Sequence, residues 1–406
     1  MTDTERLATA PENRLASIDV LRGFALLGIL VMNVQAFSMP LAAYSNPHAW
    51  GDLTGANYAV WLVSRLFFDS KFISIFSMLF GAGIAMMAAR EVPGQQAIYF
   101  RRYAILLVIG LLHAYLLWYG DVLAFYAVCA FILYPFRHKA VSTLLIASGI
   151  LYALPAAMLA VGALSAPFFP QVELERLRVQ FAPESEELLP QIATMQGGFW
   201  EIFLDRLPFL FQWHFLGFPV MFLPMLLALM LLGMVLHRLG AVQAHWPGKR
   251  YALLAVLALI IGVPMVYAGV LYLDAVEWSA VSVAFDGSLF NYFASPLVAL
   301  GWIGVVMLWC QSGRLPRLRH ALSCVGRMAL TNYLMQTVIG VLVFYGFGLG
   351  WHGEVERTGQ LVFVLCVWAL QLAWSPLWLH YFRFGPMEWL WRSLTYGQLQ
   401  PMRREA

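Results

Sequence analysis

The chain has 406 residues, of which 61% are hydrophobic and only 12% charged. An average soluble domain is about 25% charged, so a soluble multidomain enzyme, a disordered protein and a nucleic-acid binder are all poor fits. The formal net charge of +3 says little by itself; the placement of the 25 Lys and Arg along the chain says more. Apolar runs of about 20 residues recur, which is the signature of a polytopic helical membrane protein.

In chain order the apolar runs fall at 20–37, 72–89, 103–119, 122–136, 141–164, 207–236, 251–273, 292–311, 328–349 and 361–381. Hydrocarbon offers no partner to a free N–H or C=O, so each run has to be a helix. The fold class expected is therefore all-α, with about ten transmembrane helices. The first run is longer than a usual leader and carries Asp19 and Arg22 at its start, so it reads as a retained helix. Pro208, Pro219 and Pro224 make the sixth run prone to kinks. Five runs on each side of a polar stretch divide the chain. They suggest a tail at 1–17, a membrane half at 18–164, an extracytoplasmic loop at 165–206, a second membrane half at 207–392 and a tail at 393–406. Within the long loop, 172–181 and 184–195 have the pattern of short amphipathic helices.

Charge tests this layout. With the N-terminus inside and the runs alternating, 19 Lys and Arg fall inside and six outside, Arg65, Lys71, Arg176, Arg178, Arg206 and Arg357. The acids run the other way, seven inside and fifteen outside. Such a bias puts both termini in the cytoplasm.

Few ionisable groups lie within the runs, and each is a functional candidate because it is costly there unless paired. His113 sits about ten residues into the third run, and Asp121 follows at the next turn. Gly120 breaks the helix between them, which lets the carboxylate fold back toward the imidazole. A carboxylate that orients a histidine makes a general base. The bland alternative is a buried histidine bonded to a carbonyl, with Asp121 capping the next helix. Asn33 and His48, with Asp52 four residues on, add polar groups near the outer end of the first helix.

Arg22, Arg101, Arg102, Arg327 and Arg392 belong at cytoplasmic ends, as anchors or as a phosphate site, since guanidinium binds phosphate bidentately. Asn332 and Gln336 share a helix face, for helix–helix bonding or for lining a polar, substrate-binding tunnel. Gly81 and Gly83 suit close helix packing. Cys129, Cys310, Cys324 and Cys366 form neither a disulfide framework nor a metal cluster pattern, so no metal is expected.

Four stretches together resemble the YeiB-like bacterial membrane proteins, a family labelled a domain of unknown function. The first is Ile18-Asp19-Val20-Leu21-Arg22-Gly23-Phe24-Ala25-Leu26-Leu27-Gly28-Ile29-Leu30 with Asn33. The second runs from Lys71-Phe72 through Phe76-Ser77-Met78-Leu79-Phe80-Gly81-Ala82-Gly83. The third is Gly110-Leu111-Leu112-His113 with Gly120-Asp121-Val122-Leu123. The fourth is Gly326-Arg327-Met328-Ala329-Leu330-Thr331-Asn332-Tyr333, followed by Gly385-Pro386-Met387-Glu388-Trp389-Leu390-Trp391-Arg392. The first motif is also similar to that of the heparan-α-glucosaminide N-acetyltransferase family. Those multi-pass enzymes use cytosolic acetyl-CoA to acetylate a sugar amine across the membrane. That resemblance implies an active-site role for Asn33 and for His48, although the spacing between the two differs here. The YeiB-like pattern marks His113 with Asp121 more strongly.

The resemblance thus implies an acyltransferase in the bacterial inner membrane, with acyl-CoA as cosubstrate and an extracytoplasmic glycan, lipid or small molecule as acceptor. The alternatives are a transporter that uses His113 and Asp121 as a proton relay, and a scaffold without chemistry. The partners expected are the lipid bilayer and an outside acceptor, with a homodimer possible and no nucleic acid.

Overall fold

A computed structural model of the chain describes residues 16–88 and 93–404. The expected tail at 1–17 lies mostly outside the described residues, as do Arg6, Arg14 and Arg90 of the charge split. Among the described residues the regular structure is helical, apart from a single bridge between Phe382 and Arg403. The main helices are α1 (Ala16–Ser38), α2 (Gly55–Phe67), α3 (Lys71–Ala88), α4 (Gln95–Leu112), α5 (Leu123–Leu133), α6 (Val141–Ser165) and α7 (Phe199–Gln212). They continue with α8 (Leu223–Arg238), α9 (Gly248–Ala275), α10 (Asp286–Ser312), α11 (Pro316–Arg327), α12 (Ala329–Phe344), α13 (Arg357–Tyr381) and α14 (Pro386–Tyr396).

Among the described residues eight helical stretches are long and apolar enough to cross a membrane, or nine when the bent pair α11–α12 counts as one. The expected fourth span is a shorter apolar stretch, Leu123–His138. Its 16 residues reach about 24 Å, short of the ~30 Å of hydrocarbon. The expected ninth span is also different in form. Its polar approach is itself a helix, α11, and α12 leaves it at 83°. The proline-rich sixth run is continuous from Phe199 to Arg238, with a π-helical stretch at Trp213–Phe222. The expected amphipathic pieces of the long loop are helices at Gln171–Phe181 and Ser185–Met195.

Burial sorts these helices. In α1, 78% of the apolar stretch is buried, against 17% in α6 and 22% in α13. A helix apolar on all sides belongs in the middle, so α1 is the central post and α6 and α13 are peripheral. Glycine lets helices meet α1 and α3 at backbone distance. A Cβ on Gly81 would sit 1.9 Å from the carbonyl oxygen of Met230 in α8, and one on Gly233 would sit 1.9 Å from that of Met78. The same exchange joins α1 and α11, where a Cβ on Gly326 would lie 1.9 Å from the Asp19 carbonyl oxygen. Gly83 has open space instead, so the close-packing role falls to Gly81 alone.

The segments that the charge pattern groups together meet in the structure. At one end the Arg357 guanidinium, 1% exposed, donates to the carbonyls of Pro47, Trp50 and Asp52. There Trp50 donates to the carbonyl of Gly353, Gln196 to that of His352 and Asn46 to that of Phe181. At the opposite end, Glu388 of α14 accepts the N–H groups of Leu330 and Thr331, which satisfies the first turn of α12. An orphan N–H at a helix start needs such a partner.

Candidate functional site

The site is built at the end of α4. A Cβ on Gly110 would meet the backbone nitrogen of Ala124 at 2.2 Å, so the missing side chain lets α5 approach. Past Leu112 the helix widens into a π turn, His113–Leu117, and Trp118 leaves it in an extended conformation. Such π turns recur at functional sites. Two donors from a buried arginine hold this turn: Arg206 reaches the carbonyls of Leu117 at 2.8 Å and Tyr115 at 2.7 Å. The chain then reverses through Gly120 and delivers Asp121 back to the histidine.

The resulting geometry is specific. His113 Nδ1 lies 2.8 Å from Asp121 Oδ1, and His113 Nε2 lies 2.9 Å from Thr337 Oγ1 on α12. The second carboxylate oxygen of Asp121 accepts the N–H of Ala124 at 2.8 Å, so it caps α5 as well. Both expected roles of Asp121 therefore hold at once: helix cap and imidazole partner. The Tyr333 ring lies 5.2 Å from the imidazole. His113 is 2% exposed and Asp121 4%, so the pair is sealed from water. A carboxylate at Nδ1 favours the Nδ1–H tautomer, which leaves the Nε2 lone pair to accept from the Thr337 hydroxyl. Hydroxyl, imidazole and carboxylate thus stand in the order of a nucleophilic triad.

The other candidates are placed as follows. Asn33 is half-buried on α1 and carries no side-chain hydrogen bond among the described residues. His48 is exposed and faces Trp278, 5.6 Å between rings, beside a cavity of about 480 Å³ with Asn46, Asp274 and Glu277. The loop around it is not helical, so His48 and Asp52 do not pair; Asp52 instead binds Thr54 and Asn57. Asn332 and Gln336 are buried and tie α12 to α13 and α1. Asn332 bonds Ser375 and Trp374, while Gln336 bonds Gln371 and the carbonyl of Leu26. Their helix-bonding role is realised, next to Thr337.

The five arginines gather at the end of the bundle where α14 sits. Arg102 stacks on Trp391 at 3.7 Å, Arg101 reaches the Thr395 carbonyl and Arg392 lies over Phe384 at 4.6 Å. Arg22 binds Asp19 at 2.8 Å and lies within Coulomb range of Arg102. Arg327 ends α11, close to the Glu388 cap. Residue-level reading missed Thr337, which is 224 residues from His113. It also missed a second buried cluster of Arg65, Asp69, Lys71 and Asn291. Ionisable groups at the edges of an apolar run were the signal available for that cluster.

A family model described as a protein of unknown function, DUF418, matches residues 236–398. The Escherichia coli (strain K12) protein called uncharacterized protein YeiB is 32% identical over 392 residues, covering 96% of this chain and 98% of its own length. The Bacillus subtilis (strain 168) protein called uncharacterized protein YxaH is 29% identical over 418 residues, covering 98% of each chain.

Proposed function

The chain belongs to the YeiB-like, DUF418 family of multi-pass membrane proteins, and from that premise we propose that it is a membrane acyltransferase. It moves an acyl group, acetyl in the first instance, from cytosolic acyl-CoA to an extracytoplasmic hydroxyl or amine. Its place is the bacterial inner membrane, with both termini cytoplasmic. The observation that carries this reading is the buried His113, anchored by Asp121 at one nitrogen and facing a hydroxyl with the other.

His113 Nε2 takes the proton of the acceptor as its oxygen or nitrogen attacks the thioester carbon. The imidazolium that forms is stabilised by Asp121. The C–S bond then breaks, the proton passes to the leaving thiolate, and free CoA and the acylated acceptor depart. In the sealed state Thr337 occupies the position of the acceptor hydroxyl, so the acceptor enters by displacing it. Asn33, the site residue that the acetyltransferase resemblance implies, donates to the tetrahedral oxyanion. Arg101, Arg102 and Arg392 hold the phosphates of the cosubstrate. From Arg102 to His113 is 11 residues, about 17 Å at 1.5 Å per residue, the depth that the pantetheine arm spans.

A buried His–Asp pair also suits a proton relay in a transporter, so the deciding readout is a covalent product. Purified protein in proteoliposomes with labelled acetyl-CoA and an envelope extract should transfer label to an acceptor. The His113→Ala variant should lose roughly 10²- to 10⁴-fold in rate while remaining membrane-inserted. Proton-coupled flux with no acylated product would replace this reading with the transporter.

A further inference from the structure

A second buried polar cluster lies away from His113, where α2, α3 and α10 meet. Lys71 is 0% exposed and Asp69 3%, and both lie inside the apolar stretch Gly55–Met87. Ionisable groups so placed are rare without a ligand or transport role. Asp69 pairs with Arg65 through a very short contact, and its Oδ2 also accepts the Asn291 amide at 2.9 Å. Its Oδ1 accepts the Ser70 hydroxyl at 3.1 Å. Lys71 donates to the Arg65 carbonyl at 2.8 Å and, closer still, to Asn291 Oδ1. Beside this cluster is a cavity of about 200 Å³ whose wall includes Tyr44, Arg65, Asp69, Ser70, Ser288 and Asn291.

Two features, one of the cluster and one of the wall, define what the cavity can hold. The first is charge: two basic side chains, Arg65 and Lys71, share one carboxylate. The second is the donor and acceptor count. Both oxygens of Asp69 and the side-chain oxygen of Asn291 already accept hydrogen bonds. Arg65, by contrast, has five N–H donors, and among the described residues only Nη1 is engaged by a side chain. Arg65, which lines the cavity, therefore has donors to spare. Ser70, which lines the cavity, is held at φ 63°. A non-glycine residue in that region is uncommon and clusters at ligand sites.

We propose that this cavity binds a small oxyanion, a carboxylate or phosphate group, through the free face of the Arg65 guanidinium. The anion supplies the second negative charge that the cluster lacks. The proposal stands apart from acyl transfer: a carboxylate or phosphate bound here is held whether or not His113 does chemistry.

The test is calorimetric titration of the full chain in a neutral detergent with inorganic phosphate and with acetate, at constant ionic strength, with glycerol as the neutral control. Saturable binding of either anion is expected, and none of glycerol. Arg65→Gln should weaken it about tenfold or more. Leu159→Trp fills the cavity from α6 without touching a charge and should abolish binding, so the test survives if Arg65→Gln does not fold. His113→Ala should bind as the wild type does. A parallel arm compares nanodiscs of phosphatidylglycerol with phosphatidylcholine. Leu159-dependent thermal stabilisation by phosphatidylglycerol alone would identify the oxyanion as a lipid phosphate. The proposal is overturned if neither free anion nor phosphatidylglycerol binds, or if binding is unchanged in Leu159→Trp.

Discussion

His113 is held at both nitrogens, and the two partners should respond differently to substitution. Asp121→Asn preserves shape but removes the charge that stabilises an imidazolium. We expect it to insert normally and to transfer acyl groups roughly 10²- to 10⁴-fold more slowly, measured as label transferred from acetyl-CoA. Thr337→Val removes the hydroxyl at Nε2 and should cost about 1 kcal/mol of stability, seen as a lower midpoint of thermal unfolding in detergent, with transfer retained. Complete loss of transfer by a folded Thr337→Val would instead make the hydroxyl a covalent carrier. The His113–Asp121 pair was legible in the sequence because it is local: eight residues apart, with Gly120 to turn the chain. Thr337 and the Lys71–Asn291 bond were not, because their partners lie 224 and 220 residues away and no periodicity records such pairings.

At the scale of the helices, length and hydropathy made most elements readable, because hydrocarbon leaves the backbone no alternative to a helix. The polar stretch before α12 was not readable as a helix. Its few apolar positions, Leu322 and Val325 among them, gain their meaning only against α1. The glycine contact between α3 and α8 sets a sharp test. Gly81→Val has to move Met230 backbone rather than a side chain, and overpacking of this kind costs about 1–3 kcal/mol or more. Gly83→Val meets open space and should leave the unfolding midpoint unchanged.

The link between α12 and α13 carries a pH response. His352 is buried and donates to the Phe37 carbonyl from Nδ1. Burial holds its imidazole below the usual value, and the carbonyl, pulling the other way, is the smaller influence. Folded His352 therefore stays neutral where the unfolded chain takes up a proton. Its stability contribution is complete above the ordinary value near 6.5 and is lost as pH falls below it. Thermal unfolding followed from pH 8 to pH 5 should show this decline, and His352→Gln should flatten it. A wild-type midpoint independent of pH over that range would rule out the linkage.

At the scale of the whole molecule, the asymmetry of 19 basic residues against six and the interlocking of the loops around Arg357 describe the same two ends. The proposed function requires the α14 end to lie in the cytoplasm. A fluorescent reporter fused after the C-terminus should be bright, and a phosphatase inserted near Pro183 should be active; the opposite pattern would invert the topology and separate the arginines from cytosolic acyl-CoA. The class of fold was open to composition because membrane burial needs so few charges. The chemistry was not, since it depends on which polar groups meet inside the bundle. The most direct test of the central claim is acetyl-CoA binding to the purified chain in detergent, by calorimetry, with Arg102→Gln and Arg392→Gln alongside. Saturable binding, weakened about tenfold by each substitution, is what the account predicts. Folded wild-type protein that binds neither acetyl-CoA nor a longer acyl-CoA would contradict it.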